Sequence, residues 1–566
     1  MKKILLILSL AAMGLVSCEM DHYRSDTMTS TQLKDDPGAA VYTTDGNYSL
    51  FKDVLEYKGS SDSGNTYVRH FFQMAEFRGD NACLSGRTSD PFYEAFNYTD
   101  NGGLKNNKYF WWIAYKIIYG ANSNIEAIDE NASSEASHMK GENYFMRAIA
   151  HFHLVNLYAK PYSCGRDNMG VVLRTSTDCS VTERATVGQV YDQVVLDLQE
   201  AARLMEKGSR RGDAGYISRD AALAMLTRVY LYMENNEEVI NIANQLLGSA
   251  PASKLDSSLE NVFVNARTSV ETLWCVAHVA TETAARSSIG SMYYSPNGTG
   301  GIGWGEIYWS DPLLELMERY PEDKRLAAFY ELYDQQNDGK YMVHWPLFQG
   351  EDTNWYSNNV AVDVTANADG KLEFTYQSKK YVVEEKMVNG YKEYYIEGYE
   401  AGKQTKVYVH PNTSKVNGIR QNFPMFQMKK FANQDGDSNL SSPIMIRWAE
   451  VILNRAEAYA KTAGKEAEAL ADVNVIRARA GIPAWTSASY KEHGYTNLLD
   501  VVLDERRMEL CFEGHRAFDV WRNKKQMDRR FSGAHPYEIV DYTDNRIPYQ
   551  IPLDEIDVSG ITQNPR

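Results

Sequence analysis

Cysteine is scarce in this 566-residue chain, six in all: Cys18, Cys83, Cys164, Cys179, Cys275 and Cys511. No two form a C-x-x-C pair, which argues against a zinc ribbon or a disulfide framework; a Cys164–Cys179 bridge in an oxidising compartment stays open. Positive charge is also short. Lys and Arg number 59 against 75 Asp and Glu, a formal net charge of −16. The chain therefore lacks the basic face that a nucleic-acid partner needs. Beyond the N-terminus no run of about eighteen apolar residues occurs, so no membrane-spanning helix is expected there. The 11 histidines include no H-E-x-x-H. His151 and His153, two apart on a helix, point about 200° from each other and cannot share a metal.

What is present begins at the first residues. Lys2 and Lys3 precede an apolar run, Ile4 to Val16, too short to span a bilayer but long enough for a signal-peptide core. It ends in Leu15-Val16-Ser17-Cys18. This resembles a bacterial lipobox, in which the cysteine is lipidated and becomes the new N-terminus. Several acyl chains hold a protein stably, since each buried CH₂ contributes about 0.8 kcal/mol. The expected layout is a signal peptide over 1–17, a lipidated flexible tether over 18–40, and a folded part over 41–566.

The folded part reads as mostly α. In Gly141 to Tyr158, residues Phe145, Ala148, Ile149, Phe152 and Val155 share one helical face. Tyr109 to Ile128 is an aromatic-rich helical run. Asp220 to Met233 and Glu237 to Leu247 form a helix pair broken at Asn235-Asn236. A second pair, Ile446 to Ala460 and Ala467 to Ala480, ends at Gly481 with Pro483 beyond. Such pairs resemble tetratricopeptide repeats. The helical scaffold is expected over about 105–248 and 443–525, with a variable insertion over about 249–442. Within the insertion, Asn389-Gly390 between Tyr381–Val388 and Tyr391–Ile396 predicts a two-residue hairpin in a small antiparallel sheet.

Three ordered motifs in the C-terminal third point to a family. Arg447-Trp448-Ala449-Glu450 with Leu453 and Ala456-Glu457-Ala458 is the first. Asn474 to Gly481, with Arg477 and Arg479, is the second. Glu505-Arg506-Arg507-Met508-Glu509-Leu510-Cys511-Phe512-Glu513-Gly514-His515-Arg516 followed by Asp519 is the third. Together they resemble the SusD/RagB nutrient-binding outer-membrane lipoproteins of Bacteroidetes. Weaker echoes include Gly79-Asp80, Arg147-Ala148, Asp323-Lys324-Arg325, Ile551-Pro552 and Gln563-Asn564-Pro565. The resemblance implies a SusD-like fold and a surface lipoprotein, not an enzyme. Such a protein captures oligosaccharides and delivers them to a SusC-like TonB-dependent outer-membrane barrel. A RagB-type peptide binder is the alternative, and a surface glycosidase a more distant one.

Several residue patterns invite other chemistry. Glu505, Glu509 and Glu513 are spaced by four, and on one continuous helix Glu505, Glu509 and Arg516 would share a stripe. Ion pairing with Arg506, Arg507 or Arg516 is the expected role, which keeps the acids charged and structural. Gly298-Thr299-Gly300-Gly301-Ile302-Gly303 fits G-x-G-x-x-G, but loop-like residues flank it where a dinucleotide site needs a strand and a helix. Asn433 to Asp437 lacks the spacing of a calcium loop. No cofactor or metal is expected.

Aromatic residues make up 12% of the chain, and flat rings stack on the apolar faces of sugars. The glycan contacts are expected from two loops: Tyr93, Phe96 and Tyr98 in the first, Tyr293, Tyr294, Trp304 and Trp309 in the second. Trp345, Trp355 and Tyr356 follow them. The resemblance implies that loops at these two places converge on one ligand face.

Overall fold

In a computed structural model the described residues are 39–59, 62–84, 92–129, 132–282, 287–293, 307–332, 340–349, 352–388, 391–401, 404–411, 426–531, 535–536 and 538–566. The signal segment, Cys18 and the tether up to Gly38, like Tyr294, Trp304 and the 298–303 glycines, lie outside them; Ala39 and Ala40, the tether's expected end, already open the helix Ala39–Ser49.

Helices start where short polar side chains cap them. Ser133 accepts from Ala136 N at the head of Ser134–Tyr158. Thr186 and Gln189 form a reciprocal capping box at Val187–Leu204, Ser218 caps Arg219–Tyr232, and Asn235 caps Asn236–Leu247. We label these helices α2 to α5, with Lys105–Ala127 as α1, Trp448–Ala460 as α6, Glu466–Ala480 as α7 and Leu498–Glu509 as α8. Gly481 closes α7 in the left-handed conformation, φ 78°.

Each of these helices packs on the next, α1 on α2, α2 on α3, α3 on α4 and α4 on α5. The stack then crosses the insertion without a break: α5 lies against α6, which packs on α7 and α8. Pairs far apart in sequence thus form one layered helical body. The stripe read from α2 is buried throughout: Phe145, Ala148, Ile149, Phe152 and Val155 are all in the main core. One boundary differs from expectation. Ile444–Arg447 is a strand paired with Thr272–Cys275, and the helix begins only at Trp448, because Arg447 is extended at φ −145°, ψ 163°.

The insertion carries the β structure. A five-stranded antiparallel sheet has the spatial order Glu384–Val388, Tyr391–Ala401, Gln404–Pro411, Lys340–Gln349, Asp352–Asp363. Val388 pairs with Tyr391, the register that the Asn389-Gly390 turn predicts. A three-stranded sheet of 365–366, 372–376 and 379–382 lies beside it. Val343, Trp345, Phe374, Ile396, Val407 and Val409 give this module a core of its own. Trp345 is therefore a core residue, and Trp355 and Tyr356 sit on a strand and not in a loop. Among the described residues no helix is long and apolar enough to cross a membrane.

Candidate functional site

The two segments singled out for ligand contact leave the body side by side. Ala82–Leu84 pairs antiparallel with Ile307–Trp309, with Leu84 opposite Ile307 and Ala82 opposite Trp309. The chain running on from Leu84 and the chain running into Ile307 therefore meet at one end of this ladder. A second ladder, Tyr330–Leu332 with Phe426–Met428, places Leu332 opposite Phe426. The Trp309 ring packs on Tyr330 with centroids 5.3 Å apart, joining the two ladders.

A buried ionic frame fixes the first ladder. Asp80 receives Arg516 Nε at 2.6 Å and lies 3.3 Å from Arg507 Nη2. Arg507 Nε donates to Asn81 Oδ1 at 2.8 Å. Ser310, the residue after Trp309, donates its hydroxyl to Asp80 O at 2.6 Å and its N–H to Asn81 O at 2.9 Å. Burial pushes the Asp80 carboxyl up, but the two arginines more than offset it and hold it below the usual carboxylate range. Gly79-Asp80 and the third C-terminal motif are thus two halves of one joint. Gly514 belongs to it: its φ is +75°, and a Cβ there would sit 3.4 Å from Phe71 and Ala75. A side chain in that conformation is strained whatever the space.

The acids spaced by four prove structural, with different partners from those expected. α8 ends at Glu509; Phe512 and Gly514 turn left-handed, at φ 63° and 75°, and Arg516 opens a new helix, Arg516–Arg522. Arg516 therefore leaves the Glu505–Glu509 stripe. Glu505 pairs with Arg325 Nη1 at 2.7 Å and Arg477 Nη1 at 3.0 Å. Glu509 pairs with Arg447 Nη1 at 2.7 Å and with Arg479. Glu513 takes Arg447 Nε at 2.8 Å and Lys430 Nζ at 2.7 Å. Burial raises the Glu509 pKa, but Arg479, Arg447 and Arg325 reverse this and hold it below the usual range. A general acid needs a raised pKa and an open cleft; Glu509 and Glu513 are held low by their cationic partners, and all three acids are buried.

Burial sorts the candidate contact residues. Phe96 is fully buried against Phe77 and His535. Tyr98 is buried and donates its hydroxyl to Arg78 O. Tyr293 packs between Phe431 and Phe512, and Trp309 packs on Tyr330 and Phe512; both are at most 1% exposed. A ring with no accessible face cannot stack on a sugar, so Phe96, Tyr98, Tyr293 and Trp309 are corrected to core residues. The loop pattern misled because strand pairing with a partner over two hundred residues away buries Trp309. Tyr93 remains half-buried at the core edge.

The histidines are core groups too. His151 is buried, its pKa lowered to about 3 by burial and by Arg147. His153 stacks on Phe71 at 3.6 Å and shares a hydrogen bond with Tyr67. Cys164 and Cys179 are not bonded to each other. Asn433–Asp437 is a tight turn with Gln434 bridged to Asp437, and among the described residues no cluster of three or more His, Cys, Asp and Glu could hold a metal.

Comparison with known proteins bears on the family and the fold. The model of the SusD family aligns with residues 271–565. A second model, described as starch-binding and associating with the outer membrane, aligns with 64–231. SusD-like protein P2 of Formosa agariphila is 22% identical over 490 residues, covering 84% of this chain and 83% of that protein. SusD-like protein P38 of the same organism is 24% identical over 478 residues, covering 81% and 80%. Among solved structures, a SusD superfamily protein from Bacteroides thetaiotaomicron superposes with a TM-score of 0.67 at 22% identity, over 94% of this chain and all of the other. A laminarin-binding SusD-like protein superposes with a TM-score of 0.57 at 19% identity, over 93% and 98%.

Proposed function

Because the chain is a member of the SusD family, we propose that it is a cell-surface glycan-binding lipoprotein. It captures oligosaccharides and passes them to a TonB-dependent outer-membrane transporter. Lipid on Cys18 anchors it to the outer membrane. The ligand lies across residues 85–99 and 294–309, with Tyr93, Tyr294 and Trp304 as the ring platforms left after burial removes the other four.

The observation that carries this reading is the ladder between Ala82–Leu84 and Ile307–Trp309, which launches both segments from one place. A binding face needs convergent segments on a rigid support, and the Asp80–Arg507–Arg516 joint is such a support. The absence of an accessible carboxylate pair among the motif acids supports binding over hydrolysis.

Electrophoresis of the mature chain through gels containing laminarin, starch or host glycans tests the proposal. Retarded mobility without new reducing ends is the expected result. Shortened chains mean hydrolysis and overturn it. Peptide retention in a parallel assay, with no glycan retained, assigns the peptide alternative instead.

A further inference from the structure

The first turns of α1 line a cavity of about 390 Å³ that shares no lining residue with either ladder, within the range of about 300–1,000 Å³ usual for small-molecule sites. Its walls come from the outward stripe of α1, where Lys108, Trp112 and Tyr115 recur at helical spacing, and from Tyr57 and the C-terminal helix Leu553–Ser559. α1 is aromatic on both faces: Tyr109 and Phe110 lie in the core beside Ile113 and Ile117, while Trp112 and Tyr115 are half-exposed. Tyr57 and Trp112 lie 5.2 Å apart at 46°, forming a corner of two rings.

The corner is held in place before any ligand arrives. Tyr57 donates its hydroxyl to Asp554 at 3.1 Å, and Lys58 and Lys108 hold the same carboxylate at 2.6 and 3.1 Å. Tyr115 donates to Val172 O at 2.8 Å, and Trp111 Nε1 to Glu555 at 3.4 Å. Two features are left unused. Arg174 lines the cavity, and its buried Nη1 finds no acceptor among the described residues. Val558, at the rim, is 88% exposed, an apolar group with nothing over it.

We propose that this cavity is a second saccharide-binding site, separate from the ladder face, with a sugar ring stacked in the Tyr57–Trp112 corner and a hydroxyl bonded to Arg174. Charge decides among ligand classes. Glu56, Asp554 and Glu555 balance Lys58, Lys108 and Arg174 in the lining, so neither a free cation nor a polyanion is favoured. Flat rings beside fixed polar groups suit a neutral, hydroxyl-rich ring.

Calorimetry and saturation-transfer NMR of the mature chain with laminaritriose, maltotriose and cellotriose test this. At least one trisaccharide is expected to show two binding events. Trp112→Ala and Arg174→Gln should each weaken one of them about tenfold or more and leave the other intact. If Trp112→Ala unfolds, Arg174→Gln decides, because it removes a donor that has no partner among the described residues. A single event untouched by either variant overturns the inference. So does a cavity that takes none of the three sugars and is covered instead by a protein partner. Replacing 294–306 by a Gly-Ser linker separates the sites: loss of all binding in that variant leaves the family reading standing and removes this one.

Discussion

Replacing Glu509 by glutamine changes a charge and almost no volume, and the surroundings fix the size of the effect. Glu271, Glu509 and Glu513 pair with Lys430, Arg447 and Arg479, and Asp323 and Glu505 with Arg325 and Arg477, all by contacts of 3.0 Å or less; Arg325 Nη1 lies 3.7 Å from Glu509 and joins the two groups into one cluster. Five negative charges meet five positive ones, and no side chain in the set is more than 6% exposed. Glu509→Gln leaves one buried positive charge uncompensated, at a cost of about 3–5 kcal/mol. Unfolding entropy of about 2.1 cal/mol/K per residue over some 550 residues converts this to a fall in Tm of roughly 3–4 °C. The double variant Arg479→Gln/Glu509→Gln restores neutrality and should recover part of the loss, a coupling read from the four-member cycle. Scanning calorimetry measures both. If Glu509→Gln melts within half a degree of the parent, the network does not stabilise the fold. If it melts normally and also loses a hydrolytic activity, Glu509 is catalytic and the binding assignment is wrong.

Glu76 is buried without an arginine, accepting from Asn81 Nδ2 and Gly514 N, and burial raises its pKa to about 7. A raised folded-state pKa gives stability that is full below about 4.5 and lost as pH rises through 7. Glu76→Gln should therefore gain up to about 3 kcal/mol at pH 8 and nothing at pH 4, seen as a flattened Tm profile. Cys18→Ala should release the protein from the membrane fraction or block its maturation; mass spectrometry finding an unmodified N-terminus elsewhere in the wild type would sink the anchor. Trp304→Ala should weaken glycan binding about tenfold or more with Tm unchanged. Unchanged affinity in calorimetry removes Trp304 from the site, and unfolding makes it a core residue.

The helices were legible because burial leaves a 3.6-residue period in the sequence, as along Phe145, Ile149 and Phe152. The Asn389-Gly390 hairpin was legible because its turn dictates its register. The glutamate partners were not. Arg325 lies 180 residues before Glu505, and nothing in the spacing of Glu505, Glu509 and Arg516 marks where α8 stops. Which aromatic rings face solvent was equally hidden, because Tyr293 and Trp309 are buried by distant segments and Tyr98 by a backbone turn at φ 57°. The Tyr57–Trp112 corner did leave a trace: α1 is aromatic on the face turned away from the core.

The short ladder of Tyr330–Leu332 with Phe426–Met428 has a consequence for how such a protein diversifies. Leu332 and Phe426 are paired across it, so the excursion that carries both sheets of the insertion departs and returns at points about 5 Å apart. That excursion fills its own core, and an ion pair at 3.6 Å, Lys386–Glu318, ties it to the body. Closure entropy rises only by about 0.6 kcal/mol for each doubling of an inserted length. The clasp works as a socket: the helical body pays nearly the same toll whether the segment plugged into it is a tight turn or a two-sheet module, so inserts can be exchanged there without redesigning the frame.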